Sequence, residues 1–223
     1  MNIKSLLAAT FAVASMSMLS MAQTRTIEHE YSEFDAISVS DGFKVSFVES
    51  DGYSAKFKVN DAFESYVQCY VKAGTLYIGV DDKSIPKEVK KSFKGKNSDD
   101  PVLEATVYVP SLKAVTLSDN CTFSCDKDIN APKFTLELSG TSSVSNLNIH
   151  VAESAVITVS KKAKLSSVNV KAEDKVTVNA EGNASVVLEY SAKTLEVNNS
   201  GSAELAINGQ AETASVSTAG SAK

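Results

Sequence analysis

The stretches LELSGTSSV (residues 136–144) and VNNSGSAEL (residues 197–205) share the pattern that decides the fold. In each stretch an aliphatic residue is followed four positions later by Gly. A small residue stands two positions after the Gly, and a large aliphatic residue stands two positions further on. The stretch VSTAGSA at residues 216–222 repeats the first three features. The pattern therefore belongs to a repeating unit and not to one isolated turn.

Aligned on the Gly position, six copies of the unit follow one another at steps of 21, 21, 21, 19 and 19 residues. The corner positions are Asp119, Gly140, Lys161, Gly182, Gly201 and Gly220. The aliphatic column holds Val115, Leu136, Ile157, Val178, Val197 and Val216. The small column holds Cys121, Ser142, Ala163, Ala184, Ala203 and Ala222, and the large column holds Phe123, Val144, Leu165, Val186 and Leu205.

Repeats of this length, built from residues that alternate between apolar and polar, predict an all-β fold. We expect a right-handed β-helix-like solenoid with about 20 residues per coil. A β-sandwich with evenly spaced turns is the alternative, but it does not require the same side-chain size at the same position of successive strands. A corner Gly supplies a positive φ without a steric penalty, and Asp119 tolerates one. Lys161 fits this position least well, so we expect an altered corner there.

The segment 34–80 has longer strands and three turn signals, SDGF at 40–43, SDGY at 50–53 and KAGTL at 72–76. Asp-Gly pairs are typical of hairpin turns. We interpret this segment as a hairpin-rich β region that is stacked on the first coil of the solenoid and covers its edge. With residues 81–100 as a loop and 101–223 as the repeat coils, residues 34–223 form a single domain.

The first 22 residues have one cation, Lys4, then an uncharged apolar stretch and small residues before Gln23, which is the layout of a secretory signal peptide. We expect cleavage after Ala22, a mobile N-terminal arm at residues 23–33, and no membrane span in the mature protein. Without Lys4 the chain has 21 cations and 27 acids, so its net charge is 21 − 27 = −6. An acidic exported protein is a poor partner for nucleic acid.

Residues suited to catalysis or metal binding are sparse. The mature chain has two histidines, and we interpret His29 as part of the arm and His150 as part of a solvated face. Its carboxylates from Glu137 to Glu204 stand singly among lysines, which is unlike the paired acids of glycosidases. Three cysteines leave at least one thiol unpaired, and Cys121 lies in the small buried column. We therefore predict no enzyme activity, no cofactor and no metal site.

The loop at 81–100 contains six lysines between two Asp pairs. The simplest interpretation is a solvated loop or one short helix. The alternative is a basic protrusion that contacts an anionic glycan or lipid surface. For that alternative the candidate binding residues are Lys87, Lys90, Lys91 and Lys94.

The chain resembles the putative auto-transporter adhesin, head GIN domain family over residues 34–223. The resemblance rests on the order of FDAISVSDGFKVSFVES (34–50), AGTLYIGV (73–80), VYVPSLKAVTLSDNCTF (107–123) and LELSGTSSV (136–144). It implies a right-handed β-helix-like fold and a role in adhesion at the cell surface, as in exported proteins of Bacteroides and its relatives. It offers no catalytic residues.

Three functions follow as hypotheses. The first is an exported, non-enzymatic, adhesin-like protein of the periplasm or outer surface that binds a glycan or a protein of the envelope or host. The second is a polysaccharide-active β-helix protein, and the third is a periplasmic structural or assembly module. Because the pattern breaks off within the sixth copy, we expect the last coil to present an open edge. Its own polar side chains, a partner protein or a second copy of the chain could cover that edge.

Overall fold

The computed structural model describes residues 23–93 and 101–221, so the predicted signal peptide, Lys94 and Ala222 lie outside the described residues. Nearly all of the regular structure is β. The described strands are β1 (Thr24–Glu30), β2 (Ala36–Val39), β3 (Lys44–Glu49), β4 (Ser54–Asn60), β5 (Val67–Lys72), β6 (Thr75–Val80), β7 (Leu103–Val109), β8 (Ala114–Leu117), β9 (Thr122–Cys125), β10 (Ile129–Leu138), β11 (Ser143–Val159), β12 (Lys164–Ala172), β13 (Lys175–Ala180), β14 (Ser185–Ser191), β15 (Thr194–Gly201), β16 (Glu204–Gln210) and β17 (Thr213–Gly220).

Two short helices accompany the strands in the described part of the chain. One is a 3-10 helix at Asp61–Tyr66, and the other is α1 at Lys87–Ser92. Phe93 at the end of α1 meets Phe63 of the 3-10 helix edge to face, with ring centroids 4.9 Å apart. At six residues each, neither helix is long enough to span a membrane.

Two ladders of parallel strands form the solenoid. The first ladder runs through β6, β2, β8, the second half of β10, the second half of β11, β13, β15 and β17. The second ladder runs through β7, β3, β9, the first half of β11, β12, β14 and β16. About five turns follow one another at intervals of about 21 residues, which confirms the predicted solenoid.

The three columns of the sequence pattern lie in the core through the first four copies, whereas Leu205 is half-buried and Val216 is exposed in the last coils. In the aliphatic column Leu136 and Ile157 have no exposed surface, and in the small column Ser142 and Ala163 have none. The hydroxyl of Ser142 donates to the carbonyl oxygen of Ser139 at 2.8 Å, which satisfies this buried polar group. Residues of both ladders join one apolar cluster, so each coil is stabilised by burial against its neighbours.

All six corner residues have a positive φ, between 59° at Asp119 and 79° at Gly220. Successive corners are linked by backbone hydrogen bonds, such as that from Lys162 N–H to the Gly140 carbonyl oxygen at 2.9 Å. The expectation of an altered corner at Lys161 is wrong, because this residue has the same left-handed conformation (φ 61°) and the bonds on both sides continue. Contacts with the neighbouring coils hold Lys161 there against its local preference.

The shortening of the repeat from 21 to 19 residues takes place at two positions. β14 has one residue fewer than β12 opposite Ser167. Ser167 has φ 54° and lies where the register between the two strands shifts by one. The second residue is lost at the following bend. Lys171 and Lys175 are four positions apart, whereas their partners Ser191 and Thr194 are three positions apart. Strand pairing is therefore kept in both ladders, and the bends absorb the difference.

The strands of the N-terminal segment pair within the first coils of the solenoid. β2 lies between β6 and β8, and β3 lies between β7 and β9. Of the three turn signals only KAGTL closes a hairpin, between β5 and β6. SDGF joins the two ladders at Asp41 (φ 62°), as the later corners do, and SDGY joins strands that pair with β7 and not with each other.

An antiparallel cap ends the solenoid on its N-terminal side. β4 pairs with β7, and β1 pairs with β4 over its whole length, from Thr24 opposite Asn60 to Glu30 opposite Ser54. Residues 24–30 thus form a strand, which differs from the mobile arm that we expected. β1 and β5 are the outer strands of this cap.

Candidate functional site

A groove runs across the coils at the bend where the chain leaves the second ladder and enters the first. Its cavity has a volume of about 460 Å³, within the range of small-ligand sites in proteins. The lining residues are Asn130, Ala131, His150, Val151, Ala152, Lys171, Ala172, Glu173 and Ser191. They come from β10, β11, β12, β14 and the bends that follow, so four successive coils contribute to one surface.

Strand register explains why these residues meet. Asn130, His150, Lys171 and Ser191 occupy equivalent positions of successive strands and form one polar wall. Ala131, Val151 and Ala172 follow them in the chain and pair with one another. Val151 and Ala172 belong to the core, so the apolar floor that faces outward consists mainly of Ala131 and Ala152. The register between β10 and β11 shifts after Ala131, and this irregularity marks the bend of the groove.

A carboxylate orients part of the polar wall. Asp128 accepts a hydrogen bond from the side-chain amide of Asn148 at 2.9 Å, and its other oxygen lies 3.7 Å from Nδ1 of His150. These contacts place His150 beside a negative charge, and its Nε2 remains as a second hydrogen-bonding atom. Lys171 and Glu173 carry opposite charges on the groove lining, so the lining has no excess of positive charge.

Carboxylates beside the groove are engaged in ion pairs between neighbouring coils. Lys133 lies 2.9 Å from Glu153, and Lys193 lies 3.1 Å from Asp174. The hydrogen bond to Asp174 raises the pKa of Lys193. The acids that the sequence places singly among lysines are thus surface residues, and several are neutralised by a lysine one coil away.

The lining of the groove does not contain the pair of carboxyl groups that glycosidases use. A glycosidase uses two carboxyl groups about 5–10 Å apart, whereas Glu173 is the one carboxylate among the residues that line this groove. His29 lies in β1 at the far cap, where its ring meets Tyr31 edge to face. Across residues 23–93 and 101–221, no three His, Cys, Asp or Glu side chains lie close enough together to hold a metal ion.

The described lysines of the loop do not contribute to the groove. Lys87, Lys90 and Lys91 lie on α1, which packs on the N-terminal cap through Phe93, and Lys94 lies outside the described residues. Lys90 forms an ion pair with Asp82 at 2.8 Å. Over residues 81–100 six lysines face five acids, a net charge of 6 − 5 = +1. This charge gives only a weak attraction to an anionic surface.

All three cysteines are free thiols. Cys121 is completely buried in the small column, as the repeat predicts, and burial raises its pKa to about 11. Cys69 is half-buried beside Tyr31 in a cavity of about 240 Å³ in the cap. Burial raises the pKa of both groups, that of Cys69 to about 11. A thiol with a raised pKa is a poor nucleophile near neutral pH.

Sequence reasoning identified His150 as solvated but did not place it in a groove, and it missed Asn130, Lys171, Glu173 and Ser191. A signal was present. A polar residue followed by Ala or Val recurs at every bend, as Asn-Ala (130–131), His-Val (150–151), Lys-Ala (171–172), Ser-Ala (191–192) and Gln-Ala (210–211). The steps between these pairs vary from 19 to 21 residues, which hides them from an alignment that is anchored on the corners.

Comparison with known proteins identifies the family of this chain. The family model described as "Putative auto-transporter adhesin, head GIN domain" matches residues 33–160 and 146–223. No curated protein matches the chain in sequence.

Several solved structures resemble the fold. A putative adhesin from Bacteroides fragilis superposes with a TM-score of 0.66 at 12% identity, covering 90% of this chain and 95% of that one. A putative adhesin from Parabacteroides merdae gives a TM-score of 0.45 at 14% identity, with 91% and 95% covered. A putative lipid binding protein from Parabacteroides distasonis gives 0.43 at 20% identity, with 91% and 96% covered. At these identities the likeness to the first structure shows the fold alone.

Proposed function

The chain belongs to the putative auto-transporter adhesin, head GIN domain family, and we propose from this premise that it is an exported, non-enzymatic binding protein of the cell envelope. Its partner is a glycan or a protein of the envelope or of an opposing surface. The family description supports a location at the envelope or outside the cell. The predicted signal peptide at residues 1–22 agrees with that location.

The observation that carries this proposal is the groove at the bends. Its polar wall is built on paired strands, with β11, β12 and β14 hydrogen-bonded on both sides and β10 hydrogen-bonded to β11 at this position. The Cα atoms of Asn130, His150, Lys171 and Ser191 are therefore held at fixed spacing before any ligand arrives. A rigid surface loses little conformational entropy on binding. With a single carboxylate among the lining residues, the groove suits recognition better than hydrolysis.

Binding of the purified, fluorescently labelled protein to intact cells tests this function. We expect saturable binding to at least one surface in a panel of bacterial and host epithelial cells. Absence of saturable binding to every surface would contradict the proposal. Release of reducing ends from a polysaccharide panel would instead favour the polysaccharide-active alternative.

The exposed lysines of α1 form a second contact point in this proposal. The double variant Lys87→Glu, Lys91→Glu changes the local charge by four units and leaves the groove intact. If the basic protrusion takes part in attachment, this variant binds cells less tightly at low salt, and the difference disappears at high salt. If the variant and the wild-type protein bind cells equally at low salt, the lysines do not take part in attachment.

The last described coil is the third element of the proposal, as a site where two copies of the chain pair. Val216 of β17 continues the inward aliphatic column, yet 65% of its surface is exposed. Among the described strands, β17 pairs with β15 on one side and leaves its other edge open. Open strand edges favour pairing with another chain. Sedimentation velocity over a range of concentrations measures this association, and a monomer throughout would exclude it.

A further inference from the structure

We propose that the groove binds a neutral, linear polysaccharide whose chain runs along the solenoid axis from the Asn130 coil to the Ser191 coil. The proposal rests on the binding function proposed above and names the ligand and its site. The Asn130 amide, the His150 imidazole, the Lys171 ammonium and the Ser191 hydroxyl contact the ligand's hydroxyl groups, and the small floor residues contact its apolar ring faces.

The shape of the groove favours a repeating polymer. Equivalent wall residues stand on neighbouring strands, which are about 4.8 Å apart, so the wall extends over roughly 14 Å from β10 to β14. The wall offers an amide, an imidazole, an ammonium and a hydroxyl group in succession along this line. The amide, the neutral imidazole and the hydroxyl group can both donate and accept hydrogen bonds, as the hydroxyl groups of sugars do, whereas the ammonium only donates. A ligand that repeats along the same axis can meet several of them at once.

The floor favours sugar rings over a more polar ligand. Ala131 is half-buried and Ala152 is exposed, and both present small apolar patches beside the polar wall. Val151 and Ala172, which are 5% and 7% exposed, lie in the core directly beneath them and add little surface of their own. An apolar surface flanked by a few polar groups that set orientation is the usual composition of a small-ligand site.

The charges of the groove favour a neutral polymer over an anionic one. Lys171 and Glu173 cancel each other, and His150 lies against the Asp128 carboxylate. Beyond the lining, Lys133 and Lys193 are held by Glu153 and Asp174. A uronic acid or phosphate polymer requires an excess of cations to offset its charge, and Lys171 and Glu173 together give this lining no net positive charge.

The strand pairing argues against an extended peptide as the ligand. Peptides often bind by adding a strand to an open sheet edge. At the groove β11 is hydrogen-bonded to β10 and β12, and β12 is hydrogen-bonded to β11 and β14. β14 is likewise hydrogen-bonded to β12 and β16. Among the described strands, only residues 129–131 of β10 lack a paired strand on one side here, so recognition along most of the wall depends on side chains.

Affinity electrophoresis in gels that contain one polysaccharide each tests the ligand class. The neutral, mainly linear probes are glucomannan, laminarin and pullulan, and the anionic probes are polygalacturonate and heparin. We expect at least one neutral probe to retard the protein, with dissociation constants then measured by calorimetry. Retardation by anionic probes alone, or by none of the five, overturns the proposal.

Variants of the groove test the site. Ser191→Trp places a large side chain on an exposed position of the lining, and we expect binding at least about tenfold weaker. Ser145→Trp is the matched control, because Ser145 is equally an exposed serine of the second ladder but does not line the groove. Lys171→Ala removes one hydrogen-bonding group, with an expected loss of about fivefold. Its control is Lys164→Ala on the same strand.

The cell-binding assay separates this inference from the broader function. If the wild-type protein binds cells and Ser191→Trp does not, and a neutral polysaccharide competes for binding, both proposals hold. If Ser191→Trp binds cells as well as wild type does, the groove is not the site, although the binding function stands. If protease treatment of the cells removes binding and no neutral polysaccharide competes, the ligand is a protein and the inference is wrong.

Discussion

Substitution of the corner Gly140 by Ala should destabilise the protein by about 3 kcal/mol. Gly140 has φ 73°, and a non-Gly residue in this region costs roughly 1–2 kcal/mol. A Cβ built at this position lies 2.6 Å from the carbonyl oxygen of Asp119 on the previous coil. Ordinary carbon–oxygen contacts are about 3.3 Å or longer, so the two corners must move apart. That movement weakens the hydrogen bond from Thr141 N–H to the same oxygen, which contributes about 1 kcal/mol.

Thermal unfolding followed by far-ultraviolet circular dichroism measures this effect. In a domain of about 200 residues 3 kcal/mol corresponds to a fall in Tm of roughly 6–12 °C. Gly52→Ala is the matched control, because no heavy atom lies within 4 Å of its added Cβ and its backbone is outside the left-handed region. We expect Gly52→Ala to leave Tm within about 2 °C of wild type. If Gly140→Ala and Gly52→Ala unfold at the same temperature, the close stacking of corners does not stabilise the solenoid as we infer.

Three further predictions concern a corner, the thiols and the last coil. Lys161→Gly should raise the free energy of unfolding by about 0.5–1 kcal/mol. The substitution removes the steric cost of a left-handed non-Gly residue, and the greater chain entropy of Gly in the unfolded state offsets part of that gain. A Tm below that of wild type would contradict this prediction. At about pH 8, well below the raised pKa of Cys69 and Cys121, these thiols are almost entirely protonated and should react slowly with Ellman's reagent until denaturant exposes all three cysteines; rapid labelling of Cys121 in the native protein would show that its column is open. Val216→Asp should change stability by less than about 0.5 kcal/mol, because the side chain is already largely exposed, yet it should weaken any concentration-dependent association seen by sedimentation velocity; undiminished association of the variant would place the contact elsewhere.

The sequence by itself determined the coil, the corner and the core. Repetition of residue size at equivalent positions carries this information, because parallel strands in register stack like side chains on one another. It identified Cys121 as a buried small residue and Gly220 as a sixth corner, and both hold. Even the corner at Asp119 could be anticipated, since Asp tolerates a positive φ. These features follow from the local conformational preferences and side-chain sizes of residues that recur in six copies of the repeat.

Where the local conformational preference of a residue and the stacking of the coils disagree, the tertiary structure decided the conformation. Lys161 adopts the left-handed corner because hydrogen bonds to the coils on both sides hold it there, although lysine alone would avoid it. SDGF has the composition of a hairpin turn, yet it forms a corner because β6 and β8 occupy both edges of β2.

The groove likewise depends on residues that are about 20 positions apart in the chain. Asn130 and Ser191 share one wall only because intervening bends of different length return each strand to the same register. Side-chain size along the chain determines which residues are buried. The bends, whose lengths vary between coils, determine which exposed residues become neighbours, and that outcome requires the folded chain.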